Sequence, residues 1–157
     1  MFRKMRRSAQ AMSVSRIREI LARSTAGVLS LLDENGYTYG VPMSYLLRGN
    51  TIYFHCATVG AKLDALRHHN KVSFTVIDQD RVIPEEYTTQ YRSVIVFGTA
   101  RLVTDTAELS GAIRDLAHRY APGVVSACLE PDASGNYTDL AMIALDIDHM
   151  TGKESRS

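Results

Sequence analysis

Only two cysteines, Cys56 and Cys128, occur in this chain. That is too few for a disulfide framework and fits a reduced, cytoplasmic protein. No apolar run approaches the ~18–20 residues of a membrane span, so no membrane partner is expected. No signal-peptide core follows the basic start, and Arg3, Lys4, Arg6 and Arg7 read as a solvated arm over residues 1–10. The formal net charge is only +1, which supplies no field for a nucleic-acid partner. Neither G-x-G-x-x-G nor a Walker A loop is present, and the G-x-S-x-G elbow is missing too. His55 and Cys56 are neighbours on a predicted strand and point to opposite faces, so they do not grip one metal. His68 and His69 fall at a helix end and read as capping or solvated groups; Glu85 and Glu86 read as solvated loop carboxylates. No metal site is expected.

What is present suits one domain over residues 1–157, a length that buries a real core. Ile17, Ile20 and Leu21 lie at helical spacing in Met12–Ala22, with Ser13 or Ser15 as N-cap. Ala26–Leu32 and Tyr37–Leu47 flank Asp33-Glu-Asn-Gly36 and read as a hairpin. A second turn at Arg48-Gly-Asn50 leads to a third strand, Thr51–Ala57. A short helix then runs to His69-Asn70, and Val72–Val76 alternates as a fourth strand. Asp78–Arg92 reads as a long polar link of functional or interface character. Ser93–Val103 is the longest strand, with Gly98 marking a bulge or a close approach. Asp105-Thr-Ala-Glu108 opens a helix that Pro122-Gly123 stops. A loop around Pro131–Asn136, a last strand Leu140–His149 and a frayed tail 151–157 complete the chain. The expected fold is mainly β with flanking helices, a six-stranded antiparallel barrel.

Three local features carry chemistry. Lys62 falls in the first turn of the short helix, where a cation opposes the macrodipole and the first N–H groups lack partners. An anion at Gly60–Lys62 answers both; a solvated lysine is the alternative. Pro42 cannot donate to a ladder, so Val41-Pro-Met-Ser-Tyr45 belongs at an edge, either plain or open to the polar rim of a planar ligand. His55 shares a strand face with Tyr53, opposite Ile52, Phe54 and Cys56, and so faces solvent or a cleft.

Tyr39-Gly-Val-Pro-Met-Ser-Tyr45, Ile52-Tyr-Phe-His-Cys56 with Gly60-Ala-Lys62, Asn70–Phe74, Ser93–Gly98 and Ile147–Lys153 occur in an order and spacing with a parallel elsewhere. Together they resemble the pyridoxamine 5′-phosphate oxidase-like FMN-binding split barrels, and among these the nitroimidazole-resistance flavoproteins. The resemblance implies a homodimer with FMN at the interface. It places Val41, Pro42, Met43, Ser44 and Tyr45 along the flavin ring, His55 and Cys56 beside ring and ribityl chain, and Lys62 on the phosphate. Thr89, Tyr91 and Ser93 would approach from the other subunit. It also implies an FMN-dependent oxidoreductase, in its narrower form a nitroimidazole or nitroaromatic reductase, with His55 as proton donor or substrate anchor. The partners would be a small electron acceptor and a transiently docked NAD(P)H. Ala61 stands where that subgroup commonly has histidine, removing one phosphate donor. The arginine and histidine that vitamin B6 oxidases use near the C-terminus are not recognisable in Leu145–Ser157, so the resemblance does not extend to their substrate. Two alternatives stay open: a haem-binding split barrel with His55 or His149 as axial ligand, and a flavin-binding module without turnover.

Overall fold

A computed structural model of the chain describes residues 1–123, 137 and 140–156. The elements run α1 (Val14–Arg23), β1 (Ala26–Leu32), β2 (Thr38–Ser44), β3 (Leu46–Arg48), β4 (Thr51–Cys56), α2 (Ala61–His68), β5 (Lys71–Ile83), β6 (Thr88–Leu102), α3 (Thr106–Tyr120) and β7 (Ala141–Glu154). Ser13 caps α1 by accepting from the Arg16 N–H at 3.2 Å, and Asp105 caps α3 by accepting from the Glu108 N–H at 2.8 Å. The loop expected around Pro131–Asn136, and Cys128, lie outside the described residues.

All seven strands form one antiparallel sheet in the order β2-β1-β5-β6-β7-β4-β3. β2 and β3 occupy opposite edges of that order, yet only Tyr45 separates them in the chain. Two virtual bonds span at most about 7 Å, so the sheet must roll until its edges meet. No ladder joins β2 to β3 among the described residues, and the barrel is left open at that corner.

Inside the roll lie Leu29, Ile52, Phe54, Phe74, Val76, Val94 and Val96, with Ile17, Ile20 and Leu21 of α1 and Leu63 and Leu66 of α2. Phe74 meets Tyr45 and Phe54 edge-on at 4.9 and 5.0 Å. A second cluster forms outside the roll, where Ala112 and Ile113 of α3 cover Leu46, Tyr53, Met142 and Ala144. Gly98 sits at the β6–β7 bulge, and a Cβ there would lie 2.2 Å from the Asp146 carbonyl oxygen. That position admits no side chain.

Three expectations are corrected. The six strands are seven among the described residues, because Tyr45 turns inward and divides Tyr37–Leu47 into β2 and β3. Asp78–Arg92 is no link: beyond a bulge between Ile77 and Gln79, β5 and β6 continue as a ribbon joined by a turn at Pro84–Glu86. Its polar residues lack a core face, so alternation could not reveal a pairing that rests on backbone alone. The tail is not frayed at Thr151, since β7 continues beside β6 to Glu154, and the Ser155 N–H donates to the Tyr91 carbonyl.

Candidate functional site

Pro42 lies on an edge strand, as its missing N–H requires. Pro42 and Ser44 are exposed, whereas Val41 and Met43 pack against the core. Leu46 pairs with Tyr53. Among the described residues the β3–β4 ladder ends there, and Ser44 pairs with Ala26 of β1 instead, so His55 has no β3 partner. His55 is exposed, and Cys56 beside it packs partly against the core.

After β4, Gly60 turns the chain at φ +138° into α2, with nothing within 4 Å of where a Cβ would stand. Unlike α1 and α3, α2 begins without a side-chain cap. The Leu63 N–H donates to the Gly60 carbonyl at 3.0 Å, while those of Ala61 and Lys62 have no partner among the described residues. Lys62 is half-buried in the first turn and has no carboxylate within 4 Å among the described residues. The one acid of that turn, Asp64, pairs with Arg67 at 3.4 Å.

Charge ties these residues together. Loss of surrounding water, and then the Lys62 ammonium, hold the His55 imidazole below its ordinary 6.5. Burial raises the Cys56 thiol while Lys62 pulls it back down, and the net shift is upward. The corner thus favours a neutral imidazole and a protonated thiol beside Lys62. Residues of these types can hold an anion and pass one proton through a ring nitrogen. The thiol is no nucleophile of the thiolate kind.

Tyr45 and Tyr53 stand elsewhere than expected. The Tyr45 ring is fully buried and its hydroxyl donates to the Leu21 carbonyl at 2.5 Å, so its side chain is withdrawn from any ligand. Tyr53 faces neither solvent nor cleft: α3 covers it to 5% exposure, and its hydroxyl donates to Glu108 at 2.8 Å. Thr89, Tyr91 and Ser93 are not brought to His55 within one protomer. Ser93 pairs with Lys153, eleven residues along β7 from Met142, the partner of His55. That is about 36 Å of extended strand. Tyr91 instead donates its hydroxyl to Gln10 at 2.9 Å and borders a polar cleft of about 640 Å³ with Gln79 and Arg92.

Tyr120 and Arg119 are additions that the sequence did not single out. The Tyr120 hydroxyl donates to the Tyr45 carbonyl at 2.6 Å and lies 3.0 Å from that of Thr25. The Arg119 guanidinium donates to the carbonyls of Ala22 and Ser24. The end of α3 thereby fastens the corner where β2 leaves off. In sequence Tyr120 reads only as a member of an apolar helix face, and its polar end gives no local signal.

An antiparallel sheet rolled but left open, with an uncapped helix start and a lysine beside the opening, defines a split barrel with an anion-competent corner. The chain belongs to the pyridoxamine 5′-phosphate oxidase family, whose model matches residues 13–154. Among solved structures it is similar to a candidate 5-nitroimidazole antibiotic resistance protein from Bacteroides thetaiotaomicron, with a TM-score of 0.78 and 23% identity over 91% of this chain and 85% of that one. A flavocytochrome from Azotobacter vinelandii matches with a TM-score of 0.78 and 21% identity, over 98% of this chain and 73% of that one. An FAD-binding protein from Mycobacterium smegmatis matches with a TM-score of 0.62 and 22% identity, over 93% and 99%. At these identities the likeness is one of fold. A ferrochelatase from Rhizobium johnstonii is 32% identical over 117 residues, 71% of this chain but 31% of that protein. The chain spans about a third of the length of that relative. No helix among the described residues is long and apolar enough to cross a membrane.

Proposed function

We propose that the chain is a flavoprotein oxidoreductase that binds FMN at the open corner, as a homodimer. The observation that carries this reading is the uncapped start of α2, with Lys62 in its first turn and His55 on the strand before it. A phosphate there accepts from the free N–H groups and neutralises the ammonium that opposes the helix dipole. Ser44 and the exposed β2 edge offer polar contacts for the rim of a planar ring. Flavins are what the solved relatives from Azotobacter and Mycobacterium are described as carrying, which supports the cofactor class. A phosphate at a helix start suits FMN. When bound, the flavin supplies hydride acceptance and donation. The chain's own residues hold the phosphate, orient the ring edge and keep a neutral imidazole ready to exchange a proton with a substrate.

The separation of Ser93 from His55 within one protomer supports a second copy as the source of Thr89, Tyr91 and Ser93. In its narrower form the reading is a nitroimidazole- or nitroaromatic-type reductase that uses a small electrophile and a transiently docked NAD(P)H. Adding FMN to the purified protein should give a yellow, stoichiometric complex, and Lys62→Ala should weaken it about tenfold, one charge-assisted phosphate contact. No binding at micromolar FMN ends the flavin reading; an unchanged Lys62→Ala variant ends the phosphate assignment. If FMN binds but NAD(P)H reduces no acceptor through it, the chain is a flavin-binding module. The haem reading, with His55 or His149 as axial ligand, would gain support from a Soret band after haem addition.

A further inference from the structure

The barrel splits at one residue, and that residue is held from outside the sheet. Tyr45 alone separates β2 from β3, and no strand pairs with it among the described residues. Its ring is anchored inside by the bond of its hydroxyl to the Leu21 carbonyl at 2.5 Å. Its backbone is served by a single group, the Tyr120 hydroxyl. That hydroxyl donates to the Tyr45 carbonyl at 2.6 Å and receives the Tyr45 N–H at 3.4 Å. In an antiparallel ladder one residue of the neighbouring strand exchanges both such bonds. Here a phenol takes that neighbour's two places. The sheet can therefore stop at Tyr45 without leaving a buried N–H and C=O unpaired.

The phenol is itself held in place. Tyr120 ends the last turn of α3, where the Ala121 N–H still bonds back to the Ala117 carbonyl. Arg119 beside it donates to the Ala22 carbonyl and, at 2.6 Å, to that of Ser24. Those carbonyls lie at the end of α1 and in its link to β1, the strand on which Ala26 pairs with Ser44. On the other side of Tyr45, Leu46 pairs with Tyr53, two residues before His55. Tyr120 thus fastens the one residue that joins the strand of Ser44 to the ladder leading to His55. Among the described residues, no hydrogen bond of Tyr120 or Arg119 reaches α2, which carries Lys62.

We propose that Tyr120 is a positioning residue for the ring end of the flavin site, setting where the β2 edge with Ser44 stands relative to His55. The inference rests on the flavin reading and adds a residue to it. Without the hydroxyl, the Tyr45 N–H and C=O are left buried and unpaired, so the residue must shift toward water or toward the opposite edge. Either movement carries Ser44 with it, because the two are adjacent in the chain. The phosphate end is untouched, since the start of α2 and Lys62 form it.

Riboflavin, which keeps the ring and lacks the phosphate, separates the two ends. In fluorescence titrations of the full chain, Tyr120→Phe should bind riboflavin and FMN alike about fivefold more weakly than the parent, the size of one neutral hydrogen bond. Lys62→Ala should weaken FMN about tenfold and leave riboflavin unchanged. The visible absorption band of the saturated complex is read as well. A purely structural loss lowers the folded fraction and leaves the spectrum of the bound flavin alone. That band should move in Tyr120→Phe and stay in Lys62→Ala. Arg119→Lys keeps the charge but loses the fork across two carbonyls, and should shift the band in the same direction. It carries the test if Tyr120→Phe does not fold. An unchanged band overturns the inference whatever the affinities, as does a loss confined to FMN, and the flavin reading then stands. A parent that binds neither flavin ends both.

Discussion

The outer face of the sheet has two halves that alternate alike and end differently. Under α3, Leu46, Tyr53, Met142 and Ala144 are buried as a second core. Beyond α3, Val28 and Ile95 remain 37% exposed, and among the described residues only Phe2 stacks over Phe97 and His149. β6 and β7 run through both halves. What differs is the arrival of one helix, whose contact residues are distant in sequence from most of what they cover. His55 marks the border: Tyr53, two residues earlier on the same face, is 5% exposed, whereas His55 is open. The candidate corner lies where the cover ends, which leaves its histidine accessible yet short of water.

The largest test of this contrast is a pair of truncations. Ile113→Ala, under α3, should cost about 3 kcal/mol in denaturant unfolding, since it opens a cavity in a packed cluster. Ile95→Ala, on the uncovered half, should stay within about 0.5 kcal/mol. Equal costs would mean that the second half is covered in solution. A smaller effect comes from Tyr53→Phe. It removes the hydroxyl from Glu108, which also receives Arg101 at 2.7 Å, and should cost about 1 kcal/mol. His55→Ala should leave stability nearly unchanged while lowering FMN affinity.

The smallest expected signal is a proton titration. His55 should titrate below 6.5 by NMR, and Lys62→Met should move it upward because the nearby ammonium is gone. The sign for stability follows. With the folded pKa depressed, the unfolded chain binds more protons below pH 6.5, so folding weakens as pH falls through the folded value. A His55 pKa indifferent to Lys62 would separate the two residues and dissolve the corner.

Features set by a residue and its neighbours were legible in the chain. Ser13 and Asp105 cap because a short oxygen-bearing side chain reaches the N–H groups two or three residues on. Pro42 lies at an edge because it lacks a donor, and Gly98 marks a bulge where another backbone comes within van der Waals range. Lys62 and Gly60 announced the helix start from spacing alone. The ribbon of β5 and β6 escaped notice because its partners are backbone groups, and polar side chains do not advertise them. Tyr45 was misplaced for the opposite reason. An aromatic with a hydroxyl suits a ligand cleft and a core equally, and its burial depended on a carbonyl of α1 that local sequence does not connect to it.

The residue types at Gly60–Lys62 dictate a helix start without a side-chain cap and with a cation in its first turn, since glycine carries no capping oxygen wherever that helix forms. Which face of β4 would be open was decided by packing. Alternation assigns Tyr53 and His55 to the same side, and only the reach of α3 buries one and leaves the other beside Lys62. Burial is a property of what lands on a surface, and a strand carries no record of the helix that will cover it.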